Sequence, residues 1–281
     1  MKLLKVFTSG ILALLFIVVI LAKNVSADTI NLDKIESFKA YDQSEYPESY
    51  RMLEEAINAT EDVGYFDPDE MSYLEVKNLI REIERNSRYG RTLKNWVAYK
   101  SGKVEFNYMK DQEVIKAKRE EVERKAEQVL KEIISPHFTD FEKVKAVHDY
   151  LVLHTEYDYE NYYNDTIPRS AYNSYGPLMK GFAVCDGYTR AAALLLDKLG
   201  IENVYVQGYL SNGSLHSWNL VMLDGEFYHM DVTWNDTSGQ YKDSIQYQYF
   251  LLNDDEISNT RIWKKENYPS PSKKSLEGSY Q

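Results

Sequence analysis

The sequence contains a single cysteine, Cys185, within the stretch GFAVCDGYTRAAALLLDKLG. The residues after it have a helical pattern that ends at Gly200, so Cys185 lies at the start of a predicted helix. Unpaired backbone N–H groups and the positive end of the helix dipole favour a thiolate at this place, and a thiolate is the nucleophilic form. Because one cysteine cannot form an internal disulfide, three interpretations remain open: a link to another chain, a reactive group, or a buried and inert side chain.

A nucleophilic cysteine needs a base, and the base needs a group that orients it. The segment SLHSWNLVMLDGEFYHMDVTWND supplies both His216 and His229. The other three of the five histidines lie on a predicted helix or beside a proline and fit structural or solvated roles: His137, His148 and His154. The choice of base therefore lies between the two histidines of one segment.

Two alternating runs flank Asp224-Gly225, a dipeptide that favours two-residue hairpin turns. An unbulged hairpin around this turn makes His216 and Asp231 diagonal neighbours on one face, within reach of long side chains. A carboxylate there would fix the tautomer and the orientation of the imidazole. His229 shares the face but lies opposite Leu220, deeper in the sheet, where a histidine is more often packed in the core. The pattern favours His216 as the base and keeps His229 as the alternative.

The stretch GFAVCDGYTRAAALLLDKLGI, followed by GYLSNGSLHSWNLVMLDGEFYHMDVTWND, resembles the transglutaminase-like superfamily in its bacterial exported branch. The resemblance extends upstream to FEKVKAVHDYLVLHTEYD and KSGKVEFNYMKD and covers residues 46–255. It implies an α+β, papain-like core, in which a helix bearing the cysteine packs on an antiparallel sheet bearing the histidine and the aspartate. An N-terminal helical and hairpin region precedes this core. By position, the implied nucleophile is Cys185, the base is His216 and the orienting residue is Asp231.

The resemblance also implies an oxyanion hole, formed by the backbone N–H of Cys185 and an upstream side chain. In SAYNSYGPLMKG, Tyr175 has the matching spacing and Tyr172 is the alternative. Pro177 stands where the branch usually has a small residue. Packing against the core is the other interpretation of both tyrosines.

Acyl transfer is the chemistry that these residues support. The Cys185 thiolate attacks a carboxamide, a backbone donor stabilises the tetrahedral oxyanion, and His216 protonates the departing nitrogen. The thioester then passes to water, as in a peptidase or amidase, or to an amine, as in a protein cross-linking enzyme. The competing hypothesis is a non-catalytic cell-surface module that binds protein and retains the fold. The intact triad favours the enzyme.

Several elements must form around these residues. Helical periodicity and capping residues predict helices over 48–59, 67–86 and 111–134, and another that begins near Thr139 or Asp140. Two alternating runs around Ser101-Gly102 predict a hairpin, and the composition of NYPSPSKKSLEGSYQ predicts disorder. Together these divide the chain into five parts: a signal peptide 1–27, a linker 28–45, an N-terminal α+β region 46–135, a transglutaminase-like catalytic core 136–260 and a C-terminal tail 261–281.

The first residues have the order of a secretory signal. Lys2 and Lys5 precede an apolar run that ends at Ala22, and small residues precede a predicted cleavage site after Ala27. An uncleaved anchor is the alternative, but the apolar run is shorter than the roughly 20 residues that a spanning helix needs. The sequence therefore predicts a secreted or cell-surface bacterial protein with no stable membrane span after cleavage.

The formal net charge is −11, and loss of the signal, which carries three lysines and no acid, makes it −14. An acidic surface repels nucleic acid, anionic membranes and anionic wall polymers, so none of these is a predicted partner. The predicted partner is a protein or peptide substrate, which includes cell-wall and host-surface proteins. The resemblance implies no cofactor, and acidic runs such as NDDE lack the spacing of an ion-binding loop, so no metal is predicted.

Overall fold

The computed structural model describes residues 45–236 and 245–276. The predicted signal, the predicted linker up to residue 44 and residues 277–281 of the predicted tail lie outside the described residues. Within the described ranges, each helix is too short or too polar to cross a membrane.

The N-terminal region packs two helices on a three-stranded sheet. Its elements are α1 (Pro47–Asn58), β1 (Val63–Tyr65), α2 (Val76–Asn86), β2 (Leu93–Ala98) and β3 (Lys103–Tyr108). The sheet is antiparallel with the order β1-β3-β2, and Gly102 turns between β2 and β3 with φ +86°. Apolar side chains at helical spacing, such as Leu53, Ile57 and Ile80, meet Phe106 of the sheet in a separate buried cluster. The first predicted helix and the predicted hairpin are confirmed.

The second helix begins at Val76, later than the sequence predicts. After one turn, in which the carbonyl of Asp67 accepts from the N–H of Met71, the side chain of Glu75 accepts from both the N–H and the hydroxyl of Ser72. These side-chain hydrogen bonds compete with the helical ones and hold the chain in turns. Pro68 favours a helix start near Asp67, but it does not reveal the side-chain hydrogen bonds that delay the helix to Val76.

Two long helices lead into the core, α3 (Gln112–Ile133) and α4 (Asp140–His154). Asp111 caps α3, and Thr139, where the sequence predicts a cap at Thr139 or Asp140, forms a capping box with Glu142 at the start of α4. Val122 and Val129 of α3 belong to the same buried cluster as α4. The hydrophobic core therefore continues across the predicted boundary between 135 and 136.

The core is a five-stranded antiparallel sheet with the order β10-β6-β7-β8-β9 and with α6 packed across β6 and β7. Helix α6 bears Cys185, and the sheet bears His216, so the predicted α+β class and the predicted packing of helix on sheet are confirmed. A short parallel pair, β4 with β5, precedes α6. The elements are β4 (Glu156–Tyr157), α5 (Tyr159–Tyr163), β5 (Phe182–Ala183), α6 (Cys185–Lys198), β6 (Asn203–Leu210), β7 (Leu215–Leu223), β8 (Glu226–Met230), α7 (Val232–Asn235), β9 (Phe250–Leu252), α8 (Asp254–Ser258) and β10 (Arg261–Ile262).

The hairpin of β7 and β8 has the predicted register. Asp224 and Gly225 have φ values of 52° and 81°, which are typical of the turn that joins two strands directly. Leu220 lies opposite His229 without a bulge, as predicted. The chain leaves the ladder after Met230 and enters α7, so Asp231 lies one residue beyond the last pair, at the N-cap of that helix.

Residues 261–276 pack on the sheet instead of forming a tail. Strand β10 pairs with the edge strand β6, and the N–H of Ser272 donates to the carbonyl of Phe227 over 2.8 Å. Strand β7 is buried on both faces, and Trp263, 6% exposed, covers the face that carries Trp218. The prediction of disorder is wrong for residues 267–276, because composition does not reveal that an edge strand and an apolar face require a partner.

Replacing Trp263 with alanine should lower the free energy of unfolding by about 3–5 kcal/mol, because a large buried ring is lost from the sheet face. Chemical denaturation followed by circular dichroism would measure this. Glu266→Ala, at an exposed position of the same segment, is the control and should change stability by less than about 0.5 kcal/mol. Equal stability of the two variants would contradict the packing of this segment.

Candidate active site

Cys185 is the first residue of α6 and is partly buried. The preceding residue, Val184, has extended backbone angles, and its carbonyl accepts from the N–H groups of Gly187 and Tyr188. The hydroxyl of Thr189 donates to the carbonyl of Cys185 over 2.8 Å. The chain therefore turns abruptly from strand to helix, which leaves the cysteine at the helix end where the dipole is positive.

The start of α6 is held against a 3₁₀ turn at Arg169–Tyr172. The N–H of Val184 donates to the carbonyl of Ala171 over 3.0 Å, and a Cβ added to Gly187 would lie 2.4 Å from that same oxygen. A side chain at this position would push the helix start away from the turn. The glycine thus permits the close approach that fixes the place of Cys185.

His216 links Cys185 to a buried carboxylate. Its Nε2 lies 2.7 Å from Oδ2 of Asp231, and its ring also interacts with the side chain of Cys185. Because Nε2 is occupied by the carboxylate, Nδ1 is the nitrogen that remains for the sulfur. Trp218 stacks on the imidazole with ring centroids 5.9 Å apart. The structure brings together the three residues that the sequence predicts for the site.

Asp231 has a second partner, Arg261, which sequence analysis did not find. The Nε and Nη2 atoms of Arg261 donate to Oδ2 over 3.1 and 2.6 Å, on the same oxygen that faces His216. The guanidinium lies between the rings of Trp234 and Tyr249, 4.7 and 4.5 Å from their centroids. An arginine beside apolar residues in the short run Arg-Ile-Trp was the available signal, but it fell in the predicted tail.

Charge interactions inside the site oppose the effect of burial. Burial by itself lowers the pKa of His216, but the charge of Asp231 and the hydrogen bonds to Asp231 and Cys185 raise that pKa to about 9. Burial by itself raises the pKa of Asp231, whereas the charges of His216 and Arg261 hold it well below its usual range. The imidazole is therefore protonated at neutral pH and can donate a proton.

His229, the alternative base, has both ring nitrogens engaged elsewhere. Its Nδ1 accepts from Nε1 of Trp218 over 2.8 Å, and its Nε2 lies 2.9 Å from Oδ1 of Asp254. Burial lowers the pKa of His229. These contacts fit the buried structural histidine that its position opposite Leu220 predicts, and they place a second histidine–carboxylate pair close to the first.

The contacts of Tyr175 differ from those expected of an oxyanion-hole residue. Its ring lies 5.1 Å from Nζ of Lys118 and 5.9 Å from Nζ of Lys180, and its hydroxyl forms a hydrogen bond with Glu121. The π-helical turn that begins at Gly176 directs Tyr175 towards α3. Its contacts do not support an oxyanion role, because spacing along the chain does not fix the direction of a side chain in such a turn.

Two other tyrosines lie in the electrostatic field of Cys185. Burial raises the pKa of Tyr157, and the charge of Cys185 raises it further. Burial also raises the pKa of Tyr172, as do the charges of Asp186 and Cys185. Tyr172, the alternative oxyanion residue, is exposed, and its oxyanion role stays a prediction.

Histidine, cysteine and carboxylate side chains do not gather in groups of three or more that could hold a metal ion within residues 45–236 and 245–276. The absence of a cofactor stays a prediction.

Comparison with known proteins identifies the segment that carries this geometry. Residues 127–232 match the model of the transglutaminase-like superfamily. This segment is a transglutaminase-like core. It includes Cys185, His216 and Asp231, whereas Arg261 lies beyond the matched residues. The predicted resemblance to the superfamily is thereby confirmed for these residues, and the superfamily comprises cysteine peptidases and acyltransferases.

Two similar proteins cover part of the chain. The mouse (Mus musculus) kyphoscoliosis peptidase is 26% identical over 138 residues, which are 45% of this chain and 20% of the peptidase. A crystal structure of a TGase is 22% identical with a TM-score of 0.37, and the match covers 48% of this chain and 37% of the TGase chain. The chain thus spans well under half of either protein.

The imidazole of His216 in the transglutaminase-like core should titrate near pH 9, as measured by NMR with labelled histidine and assigned by loss of the signal in His216→Ala. Asp231→Asn should lower this midpoint, because the charge that favours the imidazolium is gone. Asp254→Asn removes the carboxylate beside His229 and is the matched control, which should leave the His216 titration unchanged. A His216 midpoint near the ordinary value of about 6.5 in the parent would contradict the described coupling.

Proposed function

We propose that the protein is an exported, thiol-dependent acyl-transfer enzyme that acts on carboxamides of proteins or peptides. Cys185 is the nucleophile, His216 the general acid and base, and Asp231 the orienting carboxylate. The observation that carries the proposal is the 2.7 Å contact between Nε2 of His216 and Oδ2 of the buried Asp231, in a ring that also interacts with the only cysteine of the sequence. The match to a superfamily of cysteine peptidases and acyltransferases supports the same chemistry.

In the first half of the reaction, the sulfur of Cys185 forms a bond with the carbonyl carbon of the substrate. Backbone N–H groups at the start of α6 stabilise the oxyanion of the tetrahedral intermediate. His216, which is protonated at neutral pH, gives its proton to the departing nitrogen. The amine leaves and a thioester remains on the enzyme.

In the second half, the neutral His216 takes a proton from the attacking nucleophile. Attack by water gives a carboxylic acid and makes the enzyme a peptidase or amidase. Attack by a primary amine gives a new amide and makes it a cross-linking enzyme. In both cases the thiolate of Cys185 is the leaving group, and His216 holds the proton taken from the nucleophile.

Asp231 and Arg261 act through His216. The carboxylate keeps the Nε2–H tautomer, so that Nδ1 faces the sulfur. Two N–H groups of Arg261 on one carboxylate oxygen keep that oxygen aligned with Nε2 and keep the carboxyl group ionised in a buried place. We assign Arg261 as a positioning residue on this basis.

A protein or peptide substrate is supported by exposed aromatic rings near Cys185. The ring of Tyr157 lies 4.7 Å from that of Tyr159 and 5.9 Å from that of Tyr162, and Tyr172 interacts with Tyr162. Three of the four are exposed: Tyr159, Tyr162 and Tyr172. Aromatic side chains supply large contact areas for a peptide at low entropic cost. The similarity to a protein named as a peptidase also favours a protein substrate.

Replacing Cys185 with serine, His216 with alanine or Asp231 with asparagine should lower turnover by roughly 10²–10⁴-fold, because each change removes the thiol nucleophile or part of the acid–base system that serves it. The assay offers a glutamine-containing protein with a labelled primary amine and follows both amine incorporation and new peptide termini by mass spectrometry. Incorporated label indicates cross-linking, and new termini indicate proteolysis.

The matched controls for this assay are His229→Ala and Asp254→Asn, which break the second histidine–carboxylate pair and should lower stability more than turnover. Activity that survives the loss of Cys185 would refute the mechanism. If the folded parent forms neither product over a broad substrate panel but captures a specific surface protein, the binding-module hypothesis replaces the enzyme.

Arg261→Gln should move the alkaline limb of the pH profile of kcat/KM to higher pH, because the remaining charge of Asp231 then acts on His216 without a competing cation. Asp231→Asn should move the same limb to lower pH. Arg261→Lys, which keeps the charge, is the control and should shift the limb less. A profile that is identical in the parent and in folded Arg261→Gln would show that Arg261 has no electrostatic effect on His216.

A further inference from the structure

A cavity of about 360 Å³ lies apart from the cysteine site, between the N-terminal sheet, α3 and the 3₁₀ turn at Arg169–Tyr172. Its lining includes five cationic side chains and no acidic one, although the chain has 44 acidic and 33 basic residues. The cations surround an apolar surface that includes Met109, Ile115 and Val122. The cationic residues are Arg91, Lys110, Lys118, Arg119 and Arg169.

Arg119 is the buried member of this set, with 8% of its surface exposed. Its Nη1 donates to the carbonyl groups of Ile57 and Asn58 at the end of α1, whereas Nε and Nη2 are buried without a hydrogen-bond partner. The hydroxyl of Thr92, also in the cavity wall, is a second buried polar group without a partner. Buried donors without acceptors are destabilising, so they mark a place where an acceptor is missing.

The two free nitrogens of Arg119 lie on one edge of the guanidinium. This edge presents two parallel N–H groups that match the two oxygens of a carboxylate or a phosphate. The Thr92 hydroxyl adds a third donor. Around them, Lys118 and Arg169 are exposed cations that can attract an anion into the cavity.

Three carboxylates of this region have partners other than Arg119. Glu123 accepts from the hydroxyl of Tyr89, and Glu121 forms a hydrogen bond with Tyr175. Glu84 lies 3.8 Å from Arg91 and accepts from two backbone N–H groups. The guanidinium of Arg119 also lies over the ring of Tyr89, 5.1 Å from its centroid, but this contact supplies no acceptor in the plane of Nε and Nη2.

We infer that this cavity is a binding site for a small ligand that joins a carboxylate or phosphate group to an apolar body. The anion would meet the Nε–Nη2 edge of Arg119 and the Thr92 hydroxyl, and the apolar body would contact Ile115 and Val122. The volume falls within the range of small-molecule sites. The site shares no residue with the proposed triad, so binding can be measured whether or not the protein is an enzyme.

The test titrates the full chain with hexyl phosphate and with hexanoate, using calorimetry, and with hexanol as the uncharged probe. Saturable binding of either anion supports the site. Tighter binding of hexyl phosphate indicates a phosphate ligand, and tighter binding of hexanoate indicates a carboxylate ligand. The double variant Lys118→Gln with Arg169→Gln should weaken binding by at least about tenfold, because two charges that attract the anion are gone. Arg124→Gln removes an exposed cation of α3 outside this cavity and should bind like the parent.

Arg119→Lys keeps the charge but loses the paired N–H edge, and it should also bind at least about tenfold more weakly. Should this variant unfold, the double variant at exposed positions still decides the matter. Three results would overturn the inference: no binding of either anion at millimolar concentration, equal binding of hexanol, or affinities that are the same in the parent and in the double variant.

Discussion

The ionised carboxylate of Asp231 is fully buried, and the arrangement of the site depends on how that charge is balanced. A buried charge without partners is strongly destabilising, so the fold must bring cations to it. His216 reaches it from β7 and Arg261 from β10, both on the same oxygen. The carboxylate of Asp231, at the end of the β7–β8 hairpin, thus contacts side chains of both β7 and the edge strand β10. The same balance keeps His216 protonated beside Cys185.

Close packing of small residues places the other half of the site. Gly187 lets the first turn of α6 approach the carbonyl of Ala171, and Gly208, opposite His216 on β6, lies where a Cβ would come within 2.5 Å of the carbonyl of Ile262. Helix α6 and strand β10 can therefore approach their neighbours closely because Gly187 and Gly208 have no side chains. Hydrogen bonds then orient the groups that this packing has brought together.

The features that depend on residues close together in the sequence were predicted correctly. The Asp224-Gly225 turn and the alternation around it predicted the register that brings His216 to Asp231, and a capping residue predicted the start of α4. The errors have long-range causes. Arg261 and the packing of residues 261–276 depend on an edge strand and a sheet face that composition cannot reveal. The direction of Tyr175 depends on a π-helical turn, and the late start of α2 depends on a side-chain hydrogen bond.

The position of β10 in the chain has a consequence for how the protein is made. A chain grows from its N-terminus, so Cys185, His216 and Asp231 all leave the ribosome before Arg261 does. Until the last edge strand is added, the buried carboxylate lacks its second cation, and the sheet face that carries Trp218 lacks its cover. The described arrangement of His216 and Asp231 therefore forms only after strand β10 has joined the sheet.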